Sequence, residues 1–175
     1  MSIEYICARV AQVQEKYGEA EPRRLCSAMK ILLLHEPMGT SPGACKGFYL
    51  RQSGRDVITV NSDLPEELGR IILAHELGHA VLHKAASGMN AFHDFALFDS
   101  TSQYEYEANV FAAQCLMSDE DVLGLLNDDM SFFAAAASLN VPPELLDFKF
   151  RLLKRQGYKI IDPPLMARSD FLKKI

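Results

Sequence analysis

The stretch Arg70–Leu82 constrains this chain most. Ile71-Ile72-Leu73-Ala74 and Ala80-Val81-Leu82 read as a buried helix, yet His75-Glu76-Leu77-Gly78-His79 interrupts the apolar run. Two histidines four apart on a helix are separated by ~6 Å of rise and only ~40° of rotation, so both imidazoles can reach one metal ion. The glutamate beside the first histidine then sits where it can take a proton from a water activated by the metal, which is the working half of a zinc hydrolase. The competing explanation is three polar side chains that happen to lie on a core helix. Without a metal or close partners, that placement carries a heavy desolvation cost.

With 175 residues, the chain can form one domain burying ~70% of its unfolded surface. A hydrophobic content of 49% and a charged content of 23% are those of an ordinary globule, and the net charge of -5 offers no overall attraction to nucleic acid or acidic membranes. Cys7, Cys26, Cys45 and Cys115 form no CxxC pair and read as buried reduced thiols. Met1-Ser2-Ile3-Glu4-Tyr5 lacks the basic start and apolar run of a signal peptide, and no apolar run reaches the ~18 residues that span a bilayer. A cytoplasmic location is expected, with no membrane partner.

Ile3, Ile6, Val10 and Val13 recur at helical spacing up to Gly18, and Pro22 opens a second helix through Met29. Ile31–Leu34 reads as a buried strand. Residues 47–51 and 56–60 read as a hairpin turned at Ser53-Gly54. Asp63 with Glu66, and Pro65 between them, predict the start of the histidine helix, which should run to about Lys84 with Gly88 past its end. The next twenty residues hold Phe92, His93, Phe95 and Phe98, either a wall of a substrate cleft or a short helix packed on the core. A further helix spans about Ser102 to Leu116. Ser118 with Asp121 predicts a cap before helices at 119–127, 130–139 and 142–156, and the tail from Gly157 through Pro163-Pro164 reads as extended. The fold class is α+β, a small three-stranded sheet packed with helices. Residues 1–117 form the main unit and residues 118–175 a helical C-terminal subdomain.

A hydrolytic zinc takes three protein ligands and keeps one position open. His83, eight residues from His75 and ~12 Å along the same helix, cannot complete the set. It belongs either beside the site or in the core, bonded to a backbone carbonyl. Glu105 and Asn109, four apart, share one face of the later helix, so Glu105 can ligate while Asn109 orients a histidine. Ser102-Gln103-Tyr104-Glu105 also fits a capping box, in which Glu105 only reaches back to its helix start. Glu107 points away from the face of Asn109, so both glutamates cannot face the metal and one of them should be solvated or paired.

HELGHAVLH, then a spacer, then EYEANVFAAQCLM resembles the ImmA/IrrE family of metallopeptidases, as do Gly47-Phe48-Tyr49 and Ile58-Thr59-Val60-Asn61 upstream. The resemblance covers about residues 45–118. It departs at Ser118, where the family usually has proline. It implies a zincin-like fold, Zn²⁺ held by His75, His79 and Glu105, Glu76 as the catalytic base, and Asn109 supporting a ligand histidine. Being nearer to the short, ImmA-like members than to the IrrE branch with its sensor-like domain, it further implies cleavage of a helix-turn-helix repressor.

In that reading Glu76 passes its proton to the leaving amine. Tyr104, Tyr106 and His93 are the candidates for stabilising an oxyanion, and the sequence does not choose among them. Asp56–Asn61, if it is a sheet edge, can take an extended substrate as an added strand. Two rivals remain. Residues 136–145 look like a helix-turn-helix, and Lys149, Arg151, Lys154, Arg155 and Lys159 follow it, but Pro142, Pro143, Glu144 and Asp147 stand where base-reading residues belong, which argues against nucleic acid as a partner. The other is a zinc-binding interaction protein without turnover.

Overall fold

Ile6, Val10 and Val13 fall on one face of α1 (Ile3–Tyr17) and are buried there. Ser2 caps the helix by accepting the Tyr5 N–H, and Gly18 closes it at φ 65. Pro22 opens α2 (Pro22–Ala28) as its sequence predicts. The computed structural model describes residues 1–84, 103–127, 130–168 and 170–173. The stretch around Gly88, the aromatic residues Phe92, His93, Phe95 and Phe98, and Ser102 lie outside the described residues.

Three strands follow, β1 (Leu32–Glu36), β2 (Gly47–Gln52) and β3 (Arg55–Asn61), in the order β1-β3-β2. β2 and β3 form the expected hairpin, antiparallel with Tyr49 opposite Ile58. Its turn places Ser53 at φ 50 and Gly54 at φ 78, the paired positive values that match the twist of a two-residue hairpin. β1 runs parallel to β3, with Leu33 opposite Ile58.

Two expectations about this sheet are corrected. β1 is not buried: it is an outer strand with Leu32 54% exposed, and the buried residue is Ile31 just before it. A plain run of leucines carries no alternation to reveal which side is covered. β3 is not an edge: it pairs with a strand on each side and buries Ile58 to Asn61, so it has no hydrogen-bonding side left for a substrate.

α3 (Glu66–Leu82) carries the histidine motif and packs on β2 and β3. Pro65 stands at its N-cap without a side-chain cap bond. Asp63, expected there, accepts the Gly39 N–H at 2.7 Å instead. The cause is Asn61, fully buried at the end of β3. Its Oδ1 accepts from Met38 and Asp63 N–H, and its amide donates to the Gly39 and Cys45 carbonyls at 2.8 and 2.9 Å. Those four bonds hold the 38–45 segment against the start of α3 and draw Asp63 with it.

α4 (Gln103–Leu116) packs across α3. Then come α5 (Asp119–Asn127), α6 (Phe132–Ser138), α7 (Pro143–Arg155) and a 3₁₀ turn at Phe171–Lys173. Ser118 caps α5 by accepting the Asp121 N–H at 3.0 Å. With seven α-helices and one mixed sheet among the described residues, the molecule is α+β. No described helix is long and apolar enough to cross a membrane. All four cysteines are free, but only Cys26 and Cys115 are buried; Cys7 and Cys45 are half-buried. Burial pushes the Cys26 and Cys115 thiols up to about 12.

Three of the four basic residues of α7 are paired with carboxylates. Lys149 is fully buried, with its ammonium on Asp119 and on Gln114 Oε1 at 2.9 Å. Arg151 is paired with Asp147 and Lys154 with Asp162. Lys149 falls on the apolar stripe of α7, between Leu145 and Leu152, which its charge disguises in the sequence.

Candidate metal centre

The site is built where α3 and α4 cross, and Gly78 sets how closely they approach. A Cβ added at Gly78 would meet Phe111 Cβ at 3.1 Å and Ala108 Cα at 3.2 Å. With only hydrogen there, the helix backbones come together and the side chains one turn to either side meet across the gap.

Three ligand-type atoms converge at that crossing. His75 Nε2 and His79 Nε2 are 3.1 Å apart, and the Glu105 carboxylate lies 3.5 Å from each. In four-coordinate zinc with bonds of ~2.1 Å, neighbouring ligand atoms sit roughly 3.4 Å apart, so this triangle has the size that the ion requires. Glu105 is therefore turned to the histidines, while Ser102, on which the capping alternative rests, lies outside the described residues.

Each histidine is oriented through its other nitrogen. His75 Nδ1 lies 2.9 Å from Oδ1 of the buried Asn109, so an N–H there donates to the amide oxygen and leaves Nε2 as a lone pair. His79 Nδ1 lies 3.0 Å from His83 Nδ1, and His83 Nε2 lies 2.8 Å from Glu107 Oε2. His83 thus meets a carboxylate and a second imidazole beside the candidate site. Glu107 is buried and paired: its Oε1 also takes the Gln103 side-chain amide at 2.8 Å and the Met1 amino group.

The electrostatics follow from this packing. Burial opposes a charge on His75, but the hydrogen bond and charge of Glu105, with Glu76 and Asn109, outweigh it and raise its pKa. Burial also opposes ionisation of Glu105, and the two histidines overcome it, holding that carboxyl far below the usual carboxylate range. Burial holds His83 below its ordinary value, and His79 pushes the same way against the pull of Glu107. Burial is likewise outweighed at Glu107, whose pKa is lowered by its partners. The imidazole lone pairs of buried His75 and partly buried His79 and a carboxylate aimed at one point repel one another unless a proton or a cation lies between them. A divalent cation suits all three donors at once.

Glu76 is 8% exposed and lies against the start of β2, where a Cβ added at Gly47 would come 3.7 Å from its Cγ. The same Cβ would strike Thr59 O at 2.9 Å and Ile72 Cγ2 at 2.6 Å, so β2 can lie this close to the motif helix only with glycine at that position. Tyr104 sets its ring 4.7 Å from that of His83, whereas Tyr106 packs on Phe148 of α7 with centroids 5.7 Å apart. The ring of Tyr106 therefore contributes to the packing of the C-terminal helix. His93 lies outside the described residues.

Sequence reasoning did not single out Gly47, Gly78 or Asn61 and left Glu107 without a partner. A glycine inside an apolar helix is a signal of close backbone approach, and Gly78 was legible on that ground.

The sequence profile of the Peptidase_M78 family, described as the IrrE N-terminal-like domain, matches residues 26–151. An uncharacterized immunity region protein 2 of Bacillus phage phi105 is 32% identical over 149 residues, 82% of this chain and 88% of that protein. The metallopeptidase ImmA of Bacillus subtilis (strain 168) is 24% identical over 147 residues, 81% of each.

Proposed function

From the premise that the chain belongs to the Peptidase_M78 family, the IrrE N-terminal-like peptidases, we propose that it is a zinc endopeptidase of zincin-like fold that cuts a helix-turn-helix repressor. The observation that carries the reading is the convergence of His75 Nε2, His79 Nε2 and the Glu105 carboxylate on one point. These residues would hold the metal, with Asn109 fixing the His75 tautomer. Bound there, Zn²⁺ supplies Lewis acidity to a water and to the scissile carbonyl.

The chain's own groups do the rest. Glu76 accepts the proton that the attacking water loses and delivers it to the departing amine. Its burial beside His75 keeps bulk water from competing for that proton. An extended substrate would pair along the outer side of β2, not along β3. β2 pairs only with β3 among the described residues, and its first residue, Gly47, is the one packed beside Glu76. Backbone pairing gives affinity without sequence preference, so selection of a cut site falls to side-chain contacts. The repressor as substrate is supported by the sequence resemblance and by the immunity-region name of the phage relative.

The test is co-expression of the full chain with a helix-turn-helix repressor encoded beside its gene, with mass mapping of fragments. Cleavage at one or a few positions is expected. Glu76→Gln should lower it by ~10²-fold or more while zinc content stays at the wild-type level. A repressor left intact by zinc-loaded protein, under conditions that relieve repression in cells, removes the substrate assignment. Wild-type cleavage by Glu76→Gln removes the base.

A further inference from the structure

We propose that His83 and Glu107 form a positioning chain for His79, holding its ring with Nδ1 protonated so that Nε2 faces the metal. This rests on the metallopeptidase reading, and it assigns to α3 and α4 a second pair of contacts beyond the ligands themselves.

The hydrogen count leaves one consistent arrangement. A histidine that ligates through Nε2 must carry its proton on Nδ1, and that proton needs an acceptor. For His79 the group at that place is His83 Nδ1, 3.0 Å away. His83 Nδ1 can accept only if the His83 proton sits on Nε2. That nitrogen is 2.8 Å from Glu107 Oε2, a carboxylate oxygen that can only accept when ionised. One carboxylate therefore sets the tautomers of two imidazoles in series. Both members are closed in, His83 at 6% and Glu107 at 2% exposure, so water does not compete for these bonds. The ring of Tyr104 meets His83 edge-on and limits its rotation.

The two ligand histidines are thus supported unequally. His75 leans directly on a neutral amide, Asn109, whereas His79 leans on an imidazole backed by a negative charge. Polarisation by Glu107 makes His83 the better acceptor and raises the donor strength of His79 Nε2 toward a cation. The arrangement also excludes His83 as a ligand, since both of its nitrogens are engaged away from the convergence point. Glu107, the glutamate that the helix geometry sets away from the metal, acts on the site from a distance of two imidazoles.

The experiment compares full-length wild type with His83→Leu, His83→Asn and Glu107→Gln by zinc competition against a chromophoric chelator. The visible spectrum of each Co²⁺-loaded protein reports the ligand field independently of turnover. His83→Leu should bind zinc 10- to 100-fold more weakly and shift the Co²⁺ bands. Asn Oδ1 occupies nearly the place of His Nδ1, so His83→Asn restores an acceptor for His79 and should recover affinity to within a few-fold of wild type. Glu107→Gln should fall between the two, because its amide oxygen still accepts from His83 without the charge. Wild-type affinity and spectrum in His83→Leu overturn the inference, as does His83→Asn binding no better than His83→Leu. If His83→Leu does not fold, His83→Asn decides alone: near-native affinity supports the chain, and a loss beyond tenfold overturns it. Absence of zinc binding in the wild type instead refutes the metallopeptidase reading.

Discussion

Two regions of this molecule bury charge, and they do it in opposite ways. On α7, Lys149 has no exposed surface, yet Asp119 and Gln114 meet its ammonium, and Asp147 takes both the Arg151 guanidinium and the Ala167 N–H. Donors there face acceptors and the account closes within the chain. At the α3/α4 crossing, three groups able to ligate a metal face one another: two imidazole nitrogens and a carboxylate point into one small triangle. Buried charge alone therefore says little about function. Convergence of several metal-ligating atoms on one point is what distinguishes a candidate site from a well-sealed core.

The largest effect expected from this difference is at Glu105. Glu105→Ala should abolish activity and sharply weaken zinc binding, whereas Glu107→Ala should retain a metal complex, though a weaker one if the His83 chain acts as proposed. Metal content of the two purified variants, read beside their melting temperatures, decides it. Zinc lost from the Glu107 variant with Glu105→Ala fully loaded would reverse the assignment and break the comparison at its centre.

Next in size is Gly78→Val. The added carbon atoms have no room against Phe111 and Ala108, so α3 and α4 must move apart by some tenths of an ångström or more. Overpacking of this kind costs typically ~1–3 kcal/mol, visible as a lower melting temperature. Because the ligand triangle spans the same crossing, zinc affinity should fall with stability. A valine variant that loses stability but binds zinc as the wild type does would uncouple the crossing from the site.

How much of this was legible in the sequence differs between the same two regions. HELGH could be read because helix periodicity places its histidines on one face, and the same periodicity puts Glu105 and Asn109 on a shared face, but preferring Glu105 as a ligand over a capping role took the family resemblance. The sheet was read less well. Helical spacing says nothing about strand order, and the side on which β1 and β3 lie depends on a parallel pairing between residues some 25 positions apart. Asp63 was misassigned for a related reason: its local pattern is a cap, but Asn61, two residues earlier, ties it to Gly39 across the chain. The His83–Glu107 pair lay between these extremes. Both residues stood in view, and only their contact, 24 positions apart in the chain, was hidden.

The smallest expected effect is the most direct check on the contrast. If Lys149 only seals the α5/α7 interface, its charge is replaceable. Lys149→Met keeps the length and apolar stem of the side chain, removes a buried ammonium, and releases Asp119, which is partly exposed and can turn to water. Burial already lowers the Lys149 pKa against the pull of Asp119, so the fold carries a desolvation cost for holding the charge there. Replacement of buried ion pairs by apolar side chains of similar size is often neutral or stabilising by ~1–4 kcal/mol, whereas a charge left buried without its partner destabilises. Lys149→Met is therefore expected to melt at or above the wild-type temperature, with zinc content and cleavage unchanged, and Asp119→Ala, which strands the ammonium, to melt lower. A Lys149→Met variant that folds well but loses metal or activity would mean that the C-terminal helices reach the site through this charge, and the two regions would have to be treated as one.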